Sequence, residues 1–314
     1  MRRVELPTVS IIIAAARAAG SVSATLDSIE EQDYHGEIEV IVAAADSETR
    51  DVAASRAIVL DNPSGTTPAA LNLALEKSNG EVIVRVDAHS RIPPDYVSRA
   101  VSGLLGTGAE NLGGMQIPRG ETMVEKAIAA AMASPMGAGD ATYRIGGTAG
   151  PADTVYLGTF HRKTLVDLGG YDERFVRHQD YELNQRIRSR GGVVWFDPEL
   201  RVEYRPRASF GELARQYFQY GRFKRYFSRE YPGSLKPRQI APPVLVVALA
   251  SSLLGAIWAP WLLIVPGAYV TALLLFGLAS LPRQGSPAFL MPLALATMHV
   301  SWGTGFLVGQ SSDS

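Results

Sequence analysis

Apolar residues fall in short runs over the first two thirds of the chain and in long stretches over the last quarter. Runs rich in Val, Ile, Leu and Ala predict strands over residues 9–15, 38–43, 57–60, 82–86, 111–117, 155–160 and 193–196. Between them, apolar positions at helical spacing predict helices over residues 21–31, 67–78, 94–105, 122–132, 162–168 and 180–190. Near-continuous apolar strands suit a parallel sheet covered on both faces, and strand–helix alternation suits βαβ units. The expectation is therefore an α/β, Rossmann-like domain with a mostly parallel sheet and flanking helices. The Gly-rich stretch 137–150 reads as a loop, and a long loop inside a compact domain suits a lid over a site.

The pattern changes after residue 205. Residues 201–238 hold ten Lys or Arg against three acids, interleaved with seven Phe or Tyr between Phe210 and Phe227. Cationic and aromatic side chains on one helix suit a membrane surface. From Gln239 onward the only full charges are Arg283 and Asp313, and three apolar spans follow, over residues 242–258, 260–280 and 288–308. About 20 apolar residues form a helix long enough to cross a hydrocarbon core. The domain reading is 1–205 for the α/β domain, 206–238 for a basic aromatic interfacial region and 239–314 for a membrane domain with about three transmembrane helices. The basic segment and Arg283 place the N-terminal domain in the cytoplasm of a multi-pass cell-membrane protein by the positive-inside rule. A helical subdomain buried inside a soluble protein is the other reading of the same spans. The start MRRVELPTVSIII is interrupted by Glu5 and Pro7 and reads as a first strand rather than a signal peptide.

Composition narrows the chemistry. The net charge of −1 argues against a general nucleic-acid partner. With no cysteine, disulfides, thiolate metal sites and cysteine nucleophiles are excluded.

Four motifs carry candidate chemistry. In VIVRVDAH, Asp87 and His89 stand at the predicted carboxyl end of a buried strand, where open α/β sheets bind ligands. A carboxylate and an imidazole suit Mn²⁺ or Mg²⁺ shared with phosphate oxygens, although a strand-end Asp is also an ordinary turn or cap residue. In HQDYEL, Asp180 opens a helix, either as its N-cap or as a general base held anionic by the helix dipole. In QYGRF, Arg222 with Gln219 suits a pyrophosphate clamp or a snorkelling interfacial arginine. In DNPSGTTPAALN, a turn holding Asn62 leads into a helix holding Asn72, a natural nucleotide contact or an ordinary capped turn.

Taken in this order, the motifs resemble family 2 glycosyltransferases of the GT-A fold, over roughly residues 8 to 230. VSIII, VRVDAHSRIPPDYV, LGTFHRKTLVDLGGYDERF with HQDYELNQRIR, and QYGRF carry the likeness. DNPSGTTPAALN and the C-terminal spans are similar to the succinoglycan-type exopolysaccharide members. The resemblance implies a metal-dependent, inverting hexosyl transfer from a nucleotide-sugar, a UDP-hexose, to a polyprenyl-diphosphate-linked glycan. It implies Asp87 and His89 as metal ligands, Asp180 as base, and Gln219 and Arg222 on diphosphate. The chain departs from the family at Ala14–Ala19, where a Pro-x-x-Asn-Glu-like turn is usual, and at Ala43–Ala45, where an acid normally ends the second strand. Asp46 is then the candidate replacement for that nucleotide-contacting acid. The alanine-rich strand ends leave a catalytically inactive membrane scaffold of a polysaccharide assembly complex as the alternative. A processive synthase is a third reading, for which three spans are few.

Overall fold

The computed structural model describes residues 5–309. They fall into two compact units, one of residues 5–117 with 142–204, the other of residues 118–141 with 205–309.

The first unit begins with β1 (Val9–Ala15), α1 (Ala19–Glu30), β2 (Ile38–Ala44), α2 (Ser47–Ala53), β3 (Ile58–Asp61), α3 (Thr67–Lys77), β4 (Val82–Asp87), β5 (Ser90–Arg91), α4 (Tyr96–Thr107) and β6 (Asn111–Pro118). The chain then supplies α5 (Met123–Met132) and α6 (Pro135–Ala138) to the second unit. It returns as α7 (Thr142–Ile145), β7 (Gly150–Pro151), β8 (Tyr156–His161), α8 (Arg162–Asp167), α9 (Gln179–Ser189) and β9 (Val194–Tyr204).

One sheet runs in the order β3-β2-β1-β4-β8-β6-β9-β5, with β7 paired to β9. β3, β2, β1 and β4 are parallel, and β8 joins β4 antiparallel. β4 therefore stands where the parallel half ends. The register Ala14↔Asp87, Ala15↔Ala44 and Ala44↔Asp61 sets small side chains between two acids along one carboxyl edge. Successive side chains alternate between faces, so Val82, Val84 and Val86 join one core with Val22, Leu26, Val97 and Leu104. Ile83 joins the other with Leu71, Leu75, Leu183 and Ile187. Arg85 and Asp87 share the Ile83 face by that alternation.

Several elements differ from the sequence pattern. Helix α2 was not expected; Asp46 initiates it, accepting a hydrogen bond from Thr49 N at 2.9 Å. Strand β9 runs on through Pro198 to Tyr204, beyond the expected end at residue 196. The glycine-rich segment after α5 is not one loop: α6 and α7 form within it.

The second unit holds α5, α6, α10 (Phe210–Glu230), α11 (Pro237–Gly255), α12 (Ile264–Gln284) and α13 (Met291–Val308). A capping box between Thr122 and Glu125 starts α5, whose apolar face includes Ala127, Ile128 and Ala131. Expected within the 1–205 domain, this segment clusters instead with the C-terminal helices. On α10 the buried positions Leu213, Tyr217, Gly221, Lys224 and Phe227 recur every three or four residues. That stripe meets α13 at backbone distance, because a Cβ on Gly221 would lie 2.1 Å from the Trp302 carbonyl oxygen, and one on Gly305 2.1 Å from that of Phe218.

Two stretches, Pro237–Gly255 and Pro260–Gln284, are long and apolar enough to cross a membrane. Leu253, Leu254, Trp261, Ile264, Leu274, Leu275 and Leu278 point outward from them, and Ile257 and Trp258 are exposed in the turn between. The third predicted span forms as α13, but it falls short of that standard. Trp302, Gly303 and His299 dilute its apolar run, and Met291, Ala294, Leu295, Met298, Gly303 and Gly305 are buried in protein.

Candidate active site

Asp87 is the last residue of β4, and its carboxylate is held on both oxygens. Arg85 Nη2 donates to Oδ1 at 2.9 Å, and Tyr156 Oη donates to Oδ2 at 3.1 Å. The Ser90 hydroxyl lies 3.1 Å from the same Tyr156 oxygen. Burial would raise the pKa of Asp87, but the positive Arg85, His89 and the two hydrogen bonds override it and hold the carboxyl below its usual range. Burial and the Asp87 charge push the Tyr156 hydroxyl well up, so it stays a donor. His89 follows in the turn to β5, exposed, with its ring edge-on to Tyr204 at 5.4 Å.

Asp180 lies in the first turn of α9. His178, not Asp180, is the N-cap, with a left-handed φ of 65°. Asp180 Oδ1 accepts from the Tyr181 N–H at 2.8 Å. The helix beneath it is fixed. Arg186 grips the fully buried Glu182 with two hydrogen bonds of 2.7 Å, and donates to the Leu168 and Gly170 carbonyls. Asn72 secures the next residue, Tyr171, accepting from its N–H and donating to its carbonyl, each at 2.8 Å. A small cleft lined by Arg85, Asn111, Tyr171, Asp180 and Asn184 lies between these segments. Arg85 interacts electrostatically with both Asp87 and Asp180, so the two predicted acids belong to one neighbourhood.

The structure gives several other candidates a partner inside the protein. Asp46 caps α2 and accepts from Arg17 N at 2.7 Å, and these hydrogen bonds hold its carboxyl below the usual range. Asn62 is buried and ties the turn before α3 to Ser64 and the Thr66 carbonyl. Asn72 bridges to Tyr171 and Glu173. Gln219 and Arg222 are half-buried on α10 in the second unit, where Arg222 Nε donates to the Gly309 carbonyl at 2.8 Å. Arg85 was missed in the sequence; its signal was a charged residue inside a strand otherwise apolar and buried.

Residues 10–156 match the model of glycosyl transferase family 2. The chain is 30% identical over 313 residues to the succinoglycan biosynthesis protein ExoA of Rhizobium meliloti, covering 94% of this chain and 93% of that protein.

The chain is a family 2 glycosyltransferase.

A second relative, the glycosyltransferase AglE of Haloferax volcanii, is 25% identical over 231 residues, 69% of this chain and 73% of its own. Among solved structures, the mannosyltransferase PcManGT of Pyrobaculum calidifontis, in complex with GDP-Man and Mn²⁺, superposes with a TM-score of 0.58 at 18% identity, covering 94% of this chain and 87% of that one. The mixed sheet of this glycosyltransferase is thus a GT-A fold.

The strand-end residues fit a divalent cation. Asp87 offers an ionised carboxylate still partly open at the edge of the sheet, and His89 an exposed imidazole. Among the described residues no group of three His, Asp or Glu side chains is placed to hold a metal ion by itself. A cation held by these two side chains would take its remaining positions from water and phosphate oxygens, the usual arrangement where such an ion serves a diphosphate.

Proposed function

We propose that this glycosyltransferase moves one hexose from a nucleoside-diphosphate sugar to a membrane-associated glycan, with inversion at the anomeric carbon. The observation that carries the proposal is the pairing of a strand-end carboxylate, Asp87, with a first-turn carboxylate, Asp180, around one buried arginine. Asp180 Oδ2 takes the proton of the acceptor hydroxyl, whose oxygen bonds to the anomeric carbon. The bond from that carbon to the diphosphate oxygen breaks on the opposite face, and the nucleoside diphosphate leaves with the electron pair. Asp87 and His89 would hold Mn²⁺ or Mg²⁺, which when bound stabilises the charge gathering on the leaving diphosphate. The GDP-Man and Mn²⁺ complex of the mannosyltransferase supports a nucleotide-sugar and a cation here. UDP-hexose is the proposed donor, with Asp46, Asn62 and Asn72 as the proposed nucleotide-side residues.

The ExoA relative's role in succinoglycan biosynthesis supports a polysaccharide product. The outward apolar faces of α11 and α12 support a membrane hairpin, and a polyprenyl-diphosphate glycan is the proposed acceptor. Arg222 and Gln219 on the basic helix α10 are proposed to meet its phosphates. The basic segment 201–238 favours the cytoplasmic side.

The test is release of UDP or GDP from the corresponding sugar nucleotides by protein in detergent, with Mn²⁺ or with chelator, with and without polyprenyl-diphosphate sugar. Metal-dependent release raised by the lipid acceptor is expected. Absence of release from every donor, with folded protein and acceptor present, overturns the proposal in favour of an inactive membrane scaffold.

A further inference from the structure

Arg85 is a charged side chain placed where the sequence pattern calls for an aliphatic one. It sits in the middle of β4 between Val84 and Val86 and is only 8% exposed. Removing a guanidinium from water is costly, and one ion pair seldom returns that cost. Stability alone therefore favours an aliphatic residue there. The hydrogen bonding is lopsided. Nη2 donates to Asp87, while Nε has no partner, and the guanidinium borders the small cleft shared with Asn111, Tyr171 and Asp180. The Tyr171 hydroxyl and Asn111 Oδ1 in that cleft are also without partners. Asp87, Tyr171 and Asp180 favour its charge, but its hydrogen bond is to the side chain two residues along the same strand. Tyr156, from the neighbouring β8, completes the grip on the other oxygen.

We propose that Arg85 is a positioning residue for the transfer reaction: with Tyr156 it fixes both oxygens of Asp87, so that the carboxylate presents its open edge to a divalent cation beyond the end of β4. The inference rests on the glycosyltransferase reading above and deepens it. A carboxylate at a strand end has free rotation about χ1 and χ2, and an unheld Asp87 spreads over several orientations. Partners that orient metal ligands typically govern metal affinity by about 10- to 100-fold. The long arginine reaches from inside the sheet, so it orients Asp87 without occupying the mouth of the site. Lysine at the same position carries the charge but not the planar fork.

The experiment uses the full chain in detergent, with Mn²⁺ and UDP or GDP as probes. Mn²⁺ binding is read by the free-ion EPR signal, folding by circular dichroism and thermal melting, and kcat and KM for Mn²⁺ by nucleotide release. Arg85→Met is expected to weaken Mn²⁺ binding about 10- to 100-fold in folded protein. Arg85→Lys is expected to lose less, and Tyr156→Phe a few-fold, each with a raised KM for Mn²⁺. Folded Arg85→Met with wild-type Mn²⁺ affinity overturns the proposal and leaves a purely structural ion pair. If Arg85→Met does not fold, unchanged Mn²⁺ affinity in both Arg85→Lys and Tyr156→Phe overturns it in the same way. Wild-type protein that binds no Mn²⁺ with either nucleotide overturns the metal reading itself, and this proposal with it.

Discussion

The two units use polar and apolar residues in opposite ways. In the sheet unit the interior is aliphatic, and the few buried charges, Arg85 and Glu182, are each held in an ion pair with a neighbour. In the helical unit Lys224 is 1% exposed, while Trp258 and Trp261 are 81% and 72% exposed. Leu253, Leu254, Leu274, Leu275 and Leu278 turn outward along two helices that are long and apolar enough to cross a membrane. The lesson is that burial alone does not mark function. The same outward leucine is incidental on α4 and systematic on α12.

The largest break in this comparison is chemical. Asp180→Asn should lower kcat about 10²- to 10⁴-fold, the usual reach of a general base, with thermal melting unchanged. Near-normal transfer by this variant would remove Asp180 from the mechanism. Next comes the solvent contrast. Leu274→Arg, on the outward face of α12, should cost about 2.5–3.5 kcal/mol of membrane insertion, read as loss from the carbonate-washed membrane fraction. Leu105→Arg, equally outward on α4, should stay within about 0.5 kcal/mol in a thermal melt. Equal behaviour of the two variants would erase the distinction. Gly221→Ala forces a Cβ onto the Trp302 carbonyl and should destabilise the α10–α13 crossing by about 1–3 kcal/mol, seen as an earlier melt in detergent.

The smallest effect is a titration. Glu125 accepts from Thr122 N and Glu121 N and pairs with Arg205, which together lower its pKa from 4.5 to about 2. Because the folded-state value is the lower one, its stabilisation is complete above about pH 4.5 and fades as pH falls toward 2. Glu125→Gln should cost about 1 kcal/mol at pH 7, after discounting for solvent near the pair, and progressively less below pH 4.5. Chemical denaturation at pH 7 and pH 3 checks it; a constant difference would remove the ion pair from the account.

Much of the sheet was legible because buried parallel strands are written as mainly aliphatic runs, and β1, β2 and β4 are of that kind, each interrupted by one polar residue, Ser10, Glu39 or Arg85. Helix α2 escaped because SETRDVA carries scarcely one apolar turn and rests on a cap. The end of β9 escaped because Pro198 reads as a stop when only local propensity is weighed. Helix α5 was visible as a helix, but which unit it packs in depends on contacts distant in sequence. At the site, Asp87 and Asp180 were legible as a pair only through the family's motif order; spacing alone left each as a cap or turn residue. The left-handed His178 and the grip of Arg85 on Asp87 depend on backbone angles and on reach across strands, which no periodicity encodes.

The excursion of the chain at Pro118–Ala141 has a practical consequence for anyone wishing to crystallise the sheet unit alone. A gene cut after Tyr204 keeps every strand of the sheet, yet it would strand α5 without its companions. Ile128, Ala131 and Met132 would then be stripped of cover, and Glu125 would lose Arg205. Replacing residues 118–141 by a short Gly-Ser bridge between Ile117 and Thr142 is the cut that follows the protein's own seams.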